Sequence, residues 1–124
     1  MAIQREWQDY PKDHVKLVSY KTDSEEWGAV YYKKAKPSKG WVVMSEINAY
    51  GDFYYVIKRD NQIGDAAITK KIYRFPTSEV VAELLISPKL TFFSKELVRD
   101  LIPDLQQFGC FVVDKFEGLA ITED

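Results

Sequence analysis

The chain holds one cysteine and one histidine in 124 residues. A lone cysteine closes no internal disulfide, and one histidine with one cysteine falls short of the ligand set of a zinc site. No stretch approaches the ~20 apolar residues needed to span a bilayer. The first residues, Met1-Ala-Ile-Gln-Arg-Glu-Trp-Gln-Asp9, mix charges of both signs and lack an apolar core, so no secretory leader is expected there. Ala2 stands where N-myristoylation needs glycine, and Ile121-Thr-Glu-Asp124 is no prenylation box. These absences point to a cytoplasmic protein. The glycines are scattered and build neither a phosphate-cradling loop nor a dinucleotide fingerprint. No Gly-x-Ser-x-Gly elbow is present. The loop Asp60-Asn-Gln-Ile-Gly-Asp65 fails the calcium-loop pattern, because Gln62 and Gly64 occupy ligand places and no glutamate ends it. No metal or cofactor is expected.

Charge of one sign is also missing. Seventeen basic and 19 acidic residues leave a net −2, too balanced for a protein that wraps duplex DNA through its phosphates. No internal repeat or low-complexity tract marks a boundary, and the length suits one domain over residues 1–124.

Aromatics are plentiful: eight tyrosines, seven phenylalanines and three tryptophans. They fall in short runs with β-branched residues. Val15 to Tyr20, Gly28 to Lys33, Trp41 to Ile47, Phe53 to Arg59 and Thr69 to Phe75 read as strands separated by turn material. Short connections imply hairpins and an antiparallel meander of about five or six strands. Residues 66–75 also fit a helical face, with Asp65 as its cap. After Pro76 the period changes. Thr77 or Ser78 caps a helix that buries Val80, Val81, Leu84 and Leu85 and stops at Pro88. Ser94 opens a second helix with a stripe of Leu97, Val98, Leu101, Ile102, Leu105 and Phe108. Pro103 kinks it and Gly109 ends it, before a last strand from Cys110 to Val113. The expected fold is α+β, an antiparallel meander with two C-terminal helices packed on one face.

A sheet covered on one side alternates apolar-in and polar-out. Phe53, Tyr55 and Ile57 would then face the helices, as would Val30, Tyr32, Trp41, Val43 and Ile47. The opposite face would carry Tyr31, Val42, Met44, Tyr54 and Val56 with Lys33, Glu46 and Lys58, an apolar surface of the kind found at interface cores. The expected function is therefore that of a non-enzymatic protein-binding domain, a small cytosolic inhibitor such as an immunity protein neutralising a toxin. Tyr31, Met44, Tyr54 and Lys58 would contact the partner. Asp23, Glu25 and Glu26 at the neighbouring turn would meet its basic groups. The same face would also serve a homodimer, and no membrane contact is expected.

Two other readings compete. Lys33, Lys34, Lys36 and Lys39 flank Tyr31, Tyr32 and Trp41, and Lys70, Lys71 and Arg74 lie beside Tyr73. Lysines interleaved with rings are the ingredients of a single-stranded RNA platform, although the net charge and the missing ribonucleoprotein motif count against it. A small hydrolase would need a carboxylate pair in a cleft, for which Glu25 with Glu26, or Asp52 with Asp60, are the available acids. His14 and Cys110 have no evident catalytic partner.

Overall fold

In a computed structural model the chain is described over residues 1–124 apart from 35, 37–39, 82, 85–89, 91, 108, 110, 114 and 124, with backbone alone at 83 and 84. Two antiparallel sheets make the fold. The first has the order β1 (His14–Lys21), β2 (Glu26–Lys33) and β6 (Glu83–Leu84). The second runs β3 (Val42–Tyr50), β4 (Phe53–Asp60), β5 (Lys70–Pro76) and β7 (Glu96–Asp100). One short helix, α1 (Leu101–Gln107), follows β7 directly.

The strands arise where β-branched and aromatic residues recur, and the turns where the backbone demands them. Gly51 sits at φ +57° between β3 and β4, which are joined by only two residues, a connection that favours glycine. Lys21 pairs with Glu26 across the β1–β2 turn, where Glu25 takes φ +55°. The segment read as strand or helix around residues 66–75 resolves into a single 3-10 turn, Gly64–Ala66, and then β5.

The sheets meet face to face. Val15, Leu17, Val30 and Tyr32 from one and Met44, Val56 and Phe75 from the other form one core cluster with Phe93. The rings of Tyr32, Phe75 and Phe93 touch one another at centroid distances of 4.8 to 5.8 Å. This arrangement corrects the expected parity. On β4 it is Tyr54, Val56 and Lys58 that face the core. On β3 a bulge between Met44 and Glu46 resets the alternation, so Met44 and Ile47 pack on the same core. The face assigned to a partner or a second copy is instead covered by the chain's own first sheet.

The two C-terminal helices are also corrected. Thr77–Glu79 makes one 3-10 turn, and Glu83–Leu84 then pairs with β2. Leu85 lies outside the described residues. Glu96–Asp100 becomes a strand, because β5 offers an edge that Leu97 and Arg99 can pair with. The helix starts only at Leu101, where Asp100 accepts the amide of Ile102 at 3.2 Å as an N-terminal cap. Pro103 then falls in the first turn, where its missing N–H breaks no intrahelical bond. Leu97 and Val98 are exposed, and α1 buries no residue fully. Phe108 and Cys110 lie outside the described residues, and Phe111 to Val113 is not a strand.

The outer face of the second sheet is crossed by the C-terminal segment. Arg59 reaches Glu117 at 3.4 Å and Ser45 Oγ at 2.9 Å, and the Asn48 side chain donates to the Leu119 carbonyl. A buried ion pair closes the loop between β4 and β5. Asp60 lies 3.0 Å from Lys70 Nζ and accepts the amides of Ile68 and Thr69 at 2.7 and 2.8 Å.

With the core at Phe75 and the stripe of α1 outside it, the two substitutions should differ. Phe75→Ala is expected to cost about 3–5 kcal/mol, whereas Leu101→Ala should cost about 1 kcal/mol. Urea denaturation midpoints measure both, and equal losses would contradict the placement of the core.

Candidate functional site

The residues expected to form one binding patch are dispersed. Met44 is fully buried in the core. Tyr31 is buried on the other face of β2, edge-on to Tyr10 at 5.6 Å and near the Lys16 ammonium at 5.7 Å. Tyr54 is half-buried and lines a cavity at one end of the inter-sheet space. Asp23, Glu25 and Glu26 are exposed at the β1–β2 turn, beyond that same end. Lys58 is buried at the opposite end.

The alternative sites fare as follows. Asp52 and Asp60 bracket β4, so the length of the strand separates them, and Asp60 is engaged by Lys70. Asp60 is held below its ordinary value: burial alone would raise it, but the amides of Ile68 and Thr69, the Lys70 ammonium and the Gln62 amide together outweigh that. Glu25 and Glu26 sit in solvent. His14 Nδ1 lies 2.8 Å from the Lys12 carbonyl. The second basic cluster is neutralised, with Lys70 on Asp60, Lys71 on Asp100 at 3.8 Å and Arg74 on Glu96 at 2.8 Å. In the first cluster Lys34 is buried, donating to the Val42 carbonyl at 3.3 Å and facing Glu6 at 3.6 Å.

Lys58 is the exception among these cations. It is 4% exposed, and no carboxylate pairs with it among the described residues. Its ammonium instead faces two rings, 5.0 Å from the centroid of Tyr32 and 4.3 Å from that of Tyr73. Lys95, from the segment leading into β7, lies 4.1 Å from the centroid of the same Tyr32 ring and donates to the Lys33 carbonyl. Lys95 is only part-buried, so it forms the outer side of the cluster. Tyr32 itself is fully buried, and its hydroxyl has no hydrogen-bond partner among the described residues.

The electrostatics follow from this geometry. Cation–π contact offsets only part of the cost of taking an ammonium from water. Burial, with the Lys95 charge adding to it, lowers Lys58 from its ordinary 10.5 to about 7. Burial and the Lys33 charge lower Lys95 from 10.5 to about 8. The Tyr32 phenol is held far above its ordinary value by burial and by Tyr73. Near neutrality the cluster therefore presents an amine deprotonated in about half of the molecules, a largely protonated Lys95 ammonium and a protonated hydroxyl.

The cavity at the other end is chemically different. It measures about 360 Å³ and is lined mainly by apolar groups of Leu17, Val30, Ile47, Ala49, Tyr54 and Val80. Val30, Val56 and Phe75 fill the core between it and the lysines.

Sequence reasoning expected Lys58 at a partner-binding patch on an exposed face, named Tyr32 and Tyr73 as site members only among the rings of an RNA platform, and did not include Lys95. The available signal was Lys58 itself, which completes the alternation Tyr54, Val56, Lys58 on a core-facing strand. Lys95 comes from a connecting segment 37 positions later, and no local pattern joins them.

The depressed lysines give a signed stability profile. Lys58 is protonated in the unfolded chain up to about 10.5 but neutral in the fold above about 7. Unfolding in that window takes up a proton, so stability rises as pH is raised through it and falls as pH is lowered. Lys95 contributes with the same sign above about 8. Below about pH 10 the raised phenol of Tyr32 adds no opposing slope. Between about pH 8 and 9.5, Lys58→Met should reduce the pH slope of unfolding free energy by about half. Denaturant unfolding across that range measures it, and an unchanged slope would contradict a buried, unpaired Lys58.

A family model for phytase-like proteins, described as esterase-like activity of phytase, matches residues 1–124. No curated protein and no solved structure matches the chain. Because the family match extends over all 124 residues, the chain belongs to the phytase-like family.

Proposed function

We propose that the chain binds an anionic ester and acts on it in an esterase-like way, with Lys58, Lys95 and Tyr32 as the polar centre. The observation that carries this reading is the convergence of two lysines and an unpartnered hydroxyl without a carboxylate among the described residues. Buried cationic and hydroxyl donors gain most from a ligand that supplies the missing negative charge. The family's description, which names esterase-like activity, supports the same chemistry.

The roles follow from protonation. The neutral amine of Lys58 takes a proton from an attacking water. The Lys95 ammonium and the Tyr32 O–H donate to the oxygen on which charge builds as water adds. The proton held on Lys58 then passes to the departing alcohol oxygen, which returns the amine to its starting state.

A second reading rests on a separate observation. Tyr20 and Trp27 pair across β1 and β2 with ring centroids 4.7 Å apart, yet are 45% and 55% exposed, next to the acidic Asp23, Glu25 and Glu26. An exposed aromatic pair beside acids suits a basic protein surface, and in this form the proposal of an inhibitor or immunity protein stands.

Calorimetry with inorganic phosphate and hydrolysis of p-nitrophenyl phosphate and p-nitrophenyl acetate test the first reading. Phosphate should bind, Lys95→Met should weaken it about tenfold or more, and Lys58→Met should remove hydrolysis. Trp27→Ala should leave both intact. No phosphate binding and no hydrolysis would overturn the esterase-like reading, and loss of both through Trp27→Ala would place the ligand at the hairpin instead.

A further inference from the structure

Lys58 has the surroundings of a nucleophilic amine as well as those of a base. It is enclosed by the Tyr32 and Tyr73 rings, has no acid beside it among the described residues, and has a second lysine nearby. Apolar enclosure and a neighbouring cation are the two devices that free a lysine lone pair at neutral pH. Exposed Lys12 and Lys36 are not enclosed in this way. The Tyr32 hydroxyl lies in the same cluster, buried and without a hydrogen-bond partner among the described residues. Lys95, at the outer side, is placed to hold a charged group while the reacting carbon reaches inward.

We propose that Lys58 forms a covalent imine with small carbonyl compounds that carry an anionic group, with Lys95 holding the anion and Tyr32 donating to the carbonyl oxygen. This rests on the cluster being an anion site, as argued above, and adds a covalent step to it. The amine lone pair attacks the carbonyl carbon, and the carbonyl π pair moves to oxygen, which takes a proton from the Tyr32 O–H as one of the two nitrogen-bound protons passes to the Tyr32 oxygen. The resulting carbinolamine loses that hydroxyl together with a nitrogen-bound proton as water, leaving a C=N bond. No oxidant or reductant enters. The depressed protonation of Lys58, caused first by burial, agrees with an amine ready to attack.

Pyridoxal 5′-phosphate is a suitable probe, since it joins an aldehyde to a phosphate. Incubation with the full chain, borohydride reduction and peptide mass mapping should place the pyridoxyl group on Lys58 ahead of the exposed Lys12 and Lys36. Inorganic phosphate should compete. Lys95→Met should raise the probe concentration needed by about tenfold or more, while Lys58→Met, checked for folding by circular dichroism, should lose the specific label. Labelling confined to exposed lysines, with phosphate still bound in calorimetry, would overturn the imine proposal and leave the anion site standing. Labelling of Lys58 that ignores both phosphate and Lys95→Met would overturn the anionic requirement. Failure of phosphate to bind at all would remove the reading on which the proposal rests.

Discussion

The ring of Tyr32 stands fully buried between the sheets, against Phe75 and Phe93, while two lysines approach it with no acid to balance them among the described residues. Most buried cations in this chain are treated differently. Lys70 has Asp60, and Arg59 has Ser45 and Glu117. Those pairs hold a loop and a terminal segment in place. Lys95 ties the segment before β7 to the Lys33 carbonyl, but the Lys58 amine makes only ring contacts, and its desolvation opposes folding. A feature that costs stability and closes no loop is where ligand chemistry is most economically explained.

The sheet stacking makes that feature possible. Val30, Val56 and Phe75 fill the middle of the inter-sheet space. They separate an apolar cavity at the hairpin end from the lysines at the other. The core-facing column of β4 runs from Tyr54 through Val56 to Lys58, so a single strand contributes to both ends. The amine is held by a rigid, hydrogen-bonded ladder rather than by a loop, which suits a group that must meet a small ligand in one geometry.

The strands up to Phe75 were legible because alternation and turn residues agree there. The helices after Pro76 were not. Val80, Val81, Leu97 and Val98 satisfy a helical stripe on paper, but the edge strands of both sheets offered unpaired backbone, and pairing prevailed over local period. The parity of the sheet was lost for two reasons. The bulge after Met44 cannot be read from the residues alone, and a second sheet took the place assigned to helices. The site inherited this error. Lys58 is read from the sequence as a contact residue on the solvent face, whereas Tyr32 is read inward, as the structure has it, and otherwise only as a ring of an RNA platform. Lys95 becomes visible only once the fold brings the segment before β7 to the end of β2.

Lys58 is a buried amine without a counter-charge among the described residues. Its protonation is observable directly by heteronuclear NMR of the lysine side-chain nitrogens across a pH titration of the intact chain, with Lys58→Met identifying the resonance. The account predicts a midpoint of about 7 for Lys58, with Lys95 following at about 8. A Lys58 midpoint near the ordinary 10.5 in the folded protein would contradict it, since the amine would then be solvated or paired.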